Sequence, residues 1–291
     1  MKPQKNFPEE VYFNGKWVKH DEAYVSVFDR GFMLGDGIYE VTPFYCGKAF
    51  RLQEHLTRLQ TCLEKVQIDF DASSLEDIML QAISRAGLEE KDAAVYIQVS
   101  RGVAPRTHYY PEKIEATLLL YAFPVNLKGF EDKKWQVLVS EDKRWHRCDI
   151  KSTALLANVM ANEEAISKGF DENLLIRKGY FTEGSHTSIF FVKYGMVFTH
   201  PEDQNILAGI TRRFIIELCA ELGIKVKEKA VHVDELVEID EIFLTGTTTQ
   251  IIPVSTVTRR DKQVFSAKKD QITRKLQQVF IERTRESLHN G

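Results

Sequence analysis

Apolar and polar positions along the chain follow two periods in turn. Leu52, Leu56, Leu59, Leu63 and Val66 recur every three or four residues and mark one face of a helix that carries Arg58. Leu75 to Ala86 predicts a second helix. Ile38 to Tyr45, Ala94 to Ser100 and Ala116 to Phe123 are instead rich in β-branched and aromatic residues and predict strands. Near the start, a strand-like run from Glu10 to Val18 turns at Asn14-Gly15, a pair suited to a tight hairpin.

Between Phe123 and Trp135, proline, glycine and charge break both periods, which predicts a domain boundary there. The expected domains are a smaller one at 1–126 and a larger one at 127–291. In the second, Gln136 to Ser140 predicts a short strand. Ser152 is placed to cap a helix whose apolar positions Leu155, Leu156, Val159 and Met160 share a face until Gly169 stops it. The turn pairs Lys178-Gly179 and Tyr194-Gly195 divide Asn173 to His200 into a meander of three strands, with Glu183 inside it. A helix from Thr211 to Leu222, a strand from Glu241 to Thr245 and a polar amphipathic helix near Ala267 to Glu286 complete a two-domain α/β protein, α+β within its domains.

Charge and cysteine content narrow the function classes. The 39 basic and 42 acidic residues are mixed along the chain and give a formal charge of −3, which argues against nucleic acid or a membrane surface as partner. Cys46, Cys62, Cys148 and Cys219 are scattered without metal-ligand or disulfide spacing, so a reducing cytoplasm is the expected location. The first ten residues lack the apolar core of a signal peptide, and no stretch reaches the roughly 18 apolar residues of a membrane span.

Nucleotide, metalloprotease, esterase and calcium-loop motifs are absent, and Gly35-Asp36-Gly37 lacks the third glycine of a dinucleotide fingerprint. None of the eight histidines has metal-ligand spacing, and His20, His55, His146, His200, His232 and His289 default to structural or surface roles. What remains is a set of anion-binding features and one lysine. Lys151 lies between Ile150 and the expected Ser152 cap. The positive end of a helix and partial burial both favour the neutral amine that attacks a carbonyl, although the spacing alone favours a surface lysine. Leu207-Ala-Gly-Ile-Thr-Arg212 puts glycine before a helix start, which suits phosphate or an ordinary threonine-capped helix. Thr247 and its neighbours follow a strand and offer further donors, and Arg106 and His108 stand two apart after a proline, as a carboxylate clamp or as solvated charges.

Together these segments resemble the class IV aminotransferases, and within them the D-amino acid branch. The matching pieces run from about Phe28 to about Leu276: Asp29-Arg-Gly-Phe-Met-Leu-Gly-Asp-Gly-Ile-Tyr-Glu40, His55-Leu-Thr-Arg-Leu59, Arg101-Gly-Val-Ala-Pro-Arg-Thr-His108, Arg144-Trp-His-Arg-Cys-Asp-Ile-Lys-Ser152, Thr182-Glu-Gly-Ser185, Leu207-Ala-Gly-Ile-Thr-Arg212 and Thr245-Gly-Thr-Thr248. The resemblance implies a fold type IV enzyme with pyridoxal 5'-phosphate as cofactor and no metal. It implies that Lys151 bonds the cofactor and moves the proton, that Glu183 faces the pyridine nitrogen, that Arg58, Ile210, Thr211 and Thr247 hold the phosphate, and that Leu207 packs behind the ring. Tyr39, Arg106 and His108 then correspond to a pocket for the substrate α-carboxylate, the last two supplied by the partner of a homodimer.

The implied reaction moves an amino group from a D-amino acid such as D-alanine to a 2-oxo acid such as 2-oxoglutarate. Aminodeoxychorismate lyases and branched-chain aminotransferases look similar around the lysine and phosphate loop but lack the Pro-Arg-x-His setting. A regulatory protein on a retired enzyme scaffold is the alternative from another class, against which the intact lysine, glutamate and arginine count. His186 stands where the D-amino acid branch has a small serine, and Gly246 replaces another. Both departures bear on side-chain preference and rate.

Overall fold

A computed structural model describes residues 7–286. The expectations for His289 and for residues 1–6 lie outside them. The chain divides into two compact units, Met1–Asn126 with Ile150–Leu155, and Leu127–Asp149 with Leu156–Gly291. Residues 150–155 thus group with the first unit instead of the second. The cause is strand-like pairing: Ser152 bridges Ile38, the Tyr39 N–H donates to the Lys151 carbonyl at 3.0 Å, and the Thr153 N–H donates to that of Gly37 at 2.9 Å.

In the first unit, β1 (Glu10–Phe13) and β2 (Lys16–Lys19) form the expected hairpin, with Asn14 and Gly15 at φ 46° and 87° as its turn type requires. A short helix α1 (Arg30–Leu34) precedes β3 (Gly37–Tyr45) and β4 (Lys48–Ala49), and β5 (Ala93–Ser100) and β6 (Thr117–Pro124) complete an antiparallel sheet of order β2-β1-β6-β5-β3-β4. Two helices, α2 (Leu52–Lys65) and α3 (Glu76–Arg85), bury Leu56, Leu59, Leu63, Met79 and Ile83 in one core with Ile38, Val95, Ile97, Val99 and Leu120. Burial of each such side chain contributes about 1.5–3 kcal/mol. Strand alternation turns Ile38 and Glu40 into the buried set, while Tyr39 is half-buried and stacks on Tyr96 with ring centroids 5.9 Å apart.

The second unit holds a nine-stranded sheet. Its path runs β12 (Val226–Glu228), β11 (Met196–Thr199), β10 (Ser188–Lys193), β13 (Glu241–Gly246), β14 (Gln250–Arg259), β7 (Trp135–Glu141), β8 (Glu172–Arg177), β9 (Tyr180–Gly184), with β15 (Lys262–Ser266) paired to β14. In a flat sheet β9 and β10 would stand five spacings apart, about 24 Å. Only residues 185–187 join them, and that link spans at most about 14 Å, so the sheet must curl. The core inside it includes Leu174, Phe181, Ile189, Phe191, Leu244 and Val254. Helices α4 (Leu156–Ser167), α5 (Ile210–Glu221) and α6 (Gln271–Glu286) complete the unit, with Phe214 of α5 against Phe280 of α6 at 5.5 Å. Among the described residues no helix is long and apolar enough to cross a membrane.

Several expectations need correction. The meander from Asn173 to His200 has four strands, because Ser185-His186-Thr187 makes a third turn between β9 and β10. Ser152 does not cap a helix: it lies in the bridge to β3, and α4 begins only at Leu156. The apolar positions of α4 face outward, with Leu156, Val159 and Met160 exposed. α5 starts at Ile210 after Gly209, so Thr211 lies inside the helix and does not cap it.

Gly102 generates a stability prediction. It sits at φ +107°, and a Cβ there would lie 1.9 Å from the Glu115 carbonyl oxygen. Gly102→Ala is expected to cost about 2–4 kcal/mol in urea unfolding, from backbone strain and forced displacement together. A loss below about 0.5 kcal/mol would show that the 101–115 loop yields freely.

Candidate active site

Each unit carries its own cluster. In the first, β3 and the 150–155 segment bring Lys151 and Tyr39 together, with the lysine Nζ 4.2 Å from the centre of the Tyr39 ring. The helix-end field expected at Lys151 is not there, because α4 starts five residues later. The lysine backbone N–H instead faces the buried Cys62 sulfur at 3.4 Å. Helix α2 places Arg58 against Glu40, whose side chain is fully enclosed. The arginine donates from Nε to Oε2 at 2.8 Å and from Nη2 to Oε1 at 2.6 Å, while His55 Nδ1 lies 3.0 Å from Oε1. Burial alone would raise the Glu40 carboxyl, but Arg58 and His55 outweigh it and hold the group far below the usual carboxylate range. Burial in turn pushes His55 down, against the pull of Glu40.

Arg106 and His108 stand exposed in the loop between β5 and β6. That loop is anchored from both sides. Arg101 grips Asp36 through Nε and Nη2 at 2.8 and 3.0 Å, and Arg30 Nη1 donates to the Thr107 carbonyl at 2.9 Å.

In the second unit Glu183 sits near the end of β9, 7% exposed. Its carboxylate accepts a hydrogen bond from Arg144 Nη1 and, from the other side, the Leu207 backbone N–H at 3.2–3.3 Å. Arg144 also holds Asp142 through Nε and Nη2 at 3.0 and 2.9 Å. Burial pushes the Glu183 carboxyl up, and Arg144 and the Leu207 N–H pull it back. The same two carboxylates hold Arg144 more firmly charged, against its burial.

Two residues after Leu207, Gly209 begins α5, and no side chain caps that helix. Its first N–H groups, at Ile210 and Thr211, are of the kind that can meet an anion. A Cβ at Gly209 would lie 2.9 Å from the Ser188 hydroxyl oxygen, so the helix start rests directly on β10. Ser188 pairs with Thr245, which brings the β13 end and Thr247 to the same end of the sheet. The Thr245 hydroxyl is buried there without a hydrogen-bond partner.

These donors fit pyridoxal phosphate. An uncapped helix start, a threonine turn and an arginine suit its phosphate, a buried carboxylate suits a protonated ring nitrogen, and a lysine amine suits its aldehyde. Within the units, the structure joins Lys151 to Tyr39, Glu183 to Leu207, and Ile210 and Thr211 to the sheet end that carries Thr247. Arg144, Asp142 and Glu40 were not anticipated. Each stands in or beside a segment that carries the resemblance, and its type gives no sign of its partner.

The family profile described as Amino-transferase class IV matches residues 37–257. The chain is 38% identical over 250 residues to a D-alanine aminotransferase of Bacillus licheniformis, covering 85% of this chain and 88% of that protein. It is 36% identical over 279 residues to one of Listeria monocytogenes, covering 94% and 95%. Among solved structures it is similar to a branched-chain aminotransferase of Thermoproteus uzoniensis with norvaline, at TM-score 0.85 and 26% identity, covering 94% of each chain.

The enclosed Glu40–Arg58 pair makes a pH prediction. Removing one partner of a buried pair costs about 3–5 kcal/mol, so Glu40→Gln should lose about that much at pH 7. The folded-state carboxyl titrates below its ordinary value of 4.5, so its contribution is complete above that pH and is lost as pH falls. The stability gap between parent and variant, read by urea unfolding, should therefore narrow below about pH 4.5. A gap independent of pH would contradict the pairing.

Proposed function

Because this chain belongs to the class IV aminotransferases, which act with pyridoxal phosphate, we propose that it transfers the amino group of a D-amino acid, D-alanine among them, to a 2-oxo acid such as 2-oxoglutarate. The observation that carries the D-specific reading is the Pro105-Arg106-Thr107-His108 loop, anchored by Arg30 and Arg101 yet exposing both basic side chains. The likeness over most of the chain to proteins named D-alanine aminotransferase supports it.

Pyridoxal phosphate, when bound, supplies an electron sink for the charge left at the substrate Cα. Lys151 holds the cofactor, and its Nζ takes the Cα proton and returns it. Tyr39, beside that amine, helps to receive the substrate carboxylate. Glu183 meets the positive charge at the ring nitrogen, and Arg144 and the Leu207 N–H keep its carboxylate in place. The Leu207 side chain packs behind the ring. Arg58, the Ile210 and Thr211 N–H groups and Thr247 bind the phosphate.

The enzyme works as a cytoplasmic homodimer in this reading. Phe28 and Val103 are exposed where the Asp29–Val103 bridge and the Ala104 N–H to Phe28 carbonyl bond join their segments, Tyr109 is exposed next to His108 in the chain, and exposed large apolar groups favour a protein partner. The absence of disulfides among the four cysteines suits a reducing compartment.

Substrate handedness tests the proposal. The lysine acts on one face of the cofactor, so the side on which the α-carboxylate is anchored decides which enantiomer presents its Cα–H bond. D-amino acids should be good substrates and L-amino acids, including branched-chain ones, poor. A charge-assisted contact to a carboxylate contributes about 1.5–3 kcal/mol, so Arg106→Ala should lower kcat/KM for D-alanine about tenfold to a hundredfold and leave the cofactor spectrum unchanged. A preference for L-leucine or L-valine would favour the branched-chain reading that the structural neighbours carry, and full activity of the variant on D-alanine would remove Arg106 from the site.

A further inference from the structure

One carboxylate outside the residues assigned above governs the turn that follows Glu183. Glu172 opens β8, and its side chain is fully enclosed. Its Oε1 accepts the Asn173 N–H at 2.7 Å, the Ser185 N–H at 3.2 Å and the Ser185 hydroxyl. Its Oε2 accepts the Thr187 hydroxyl at 3.0 Å and the His186 N–H at 3.4 Å, and lies 2.9 Å from His186 Nδ1. Each residue from Ser185 to Thr187 therefore donates to this one group.

Other supports converge on the same turn. The Gly184 N–H donates to the Thr187 carbonyl at 2.7 Å, and Asn158 and Asn162 of α4 donate to the Ser185 carbonyl and hydroxyl at 2.8 and 3.1 Å. Gly184 leaves room for nothing larger, since a Cβ would lie 2.1 Å from the Thr187 hydroxyl oxygen and 3.0 Å from Glu172 Oε2. Burial would raise the Glu172 carboxyl, yet His186, Ser185 and Asn173 hold it below its usual value, so it stays an anion that all three turn residues can grip.

We infer that Glu172 is a positioning residue for Glu183: by fixing the backbone of residues 184–187 it sets where the carboxylate one residue earlier points. This rests on the role proposed for Glu183 at the ring nitrogen. Glycine is the residue whose backbone rotates most cheaply, so with Glu172 neutralised Gly184 is free to turn and carry Glu183 with it.

A double-mutant cycle on the full protein separates positioning from general structural damage. The measured quantity is the dissociation constant of pyridoxal phosphate, from visible titration. Glu172→Gln should raise it about tenfold in the parent background but less than twofold when Glu183 is already Gln, because a residue acting through Glu183 has nothing left to position. Should Glu172→Gln fail to fold, Thr187→Val removes one donor at similar volume and should show a smaller effect, about threefold, that disappears in the same background. An equal factor in both backgrounds, or none in either, overturns the inference while leaving the proposed function standing. A parent protein that binds no pyridoxal phosphate overturns both.

Discussion

A carboxylate taken out of water has to meet a cation or several donors inside the protein, or it gives up its charge. Much of this chain is arranged around four such groups. Glu40 is met by Arg58 and His55, Asp36 by Arg30 and Arg101, Glu183 by Arg144, and Glu172 by the turn from Ser185 to Thr187. In each case the partner lies on, or leads to, a segment with a proposed role. Glu40 orients the arginine assigned to the phosphate, Asp36 ties down the loop that ends at Arg106 and His108, and the other two fix the hairpin that carries Glu183.

The Glu183 environment is a compromise between two demands. A carboxylate facing a ring nitrogen stabilises positive charge best when it is fully ionised and dry, but burial opposes ionisation. Arg144 works against burial without cancelling it, since the Glu183 carboxyl stays above its ordinary value, and Asp142 offsets part of the arginine's own charge. The uncapped start of α5 follows the same logic with neutral groups in its proposed role, since backbone donors already fixed in place would meet a phosphate with little reorganisation.

The periodic elements were legible because their patterns are local. Leu52 to Val66 gave α2 within a residue, and Asn14-Gly15 gave the first hairpin. At α4 the pattern marked an apolar face but could not say what covers it, and Leu156, Val159 and Met160 are exposed in the chain itself. Strand β14 went unread because Pro253 in its middle argues against a central strand, although Pro253 is paired with Phe243 on one side. The proposed lysine, glutamate and phosphate loop could be picked out by motif. Arg144, Glu40 and Glu172 could not, because a charged residue in a sequence shows neither its burial nor its partner, and Arg144 and Glu183 are brought together across 39 positions.

In the proposed function Lys151 is the residue that bonds the cofactor. Borohydride reduction of the pyridoxal-phosphate-loaded protein, followed by digestion and mass spectrometry, reads this directly. The added phosphopyridoxyl mass is expected on the peptide containing Lys151 and on no other lysine peptide. The same mass on a different lysine, with Lys151 unmodified, would contradict it.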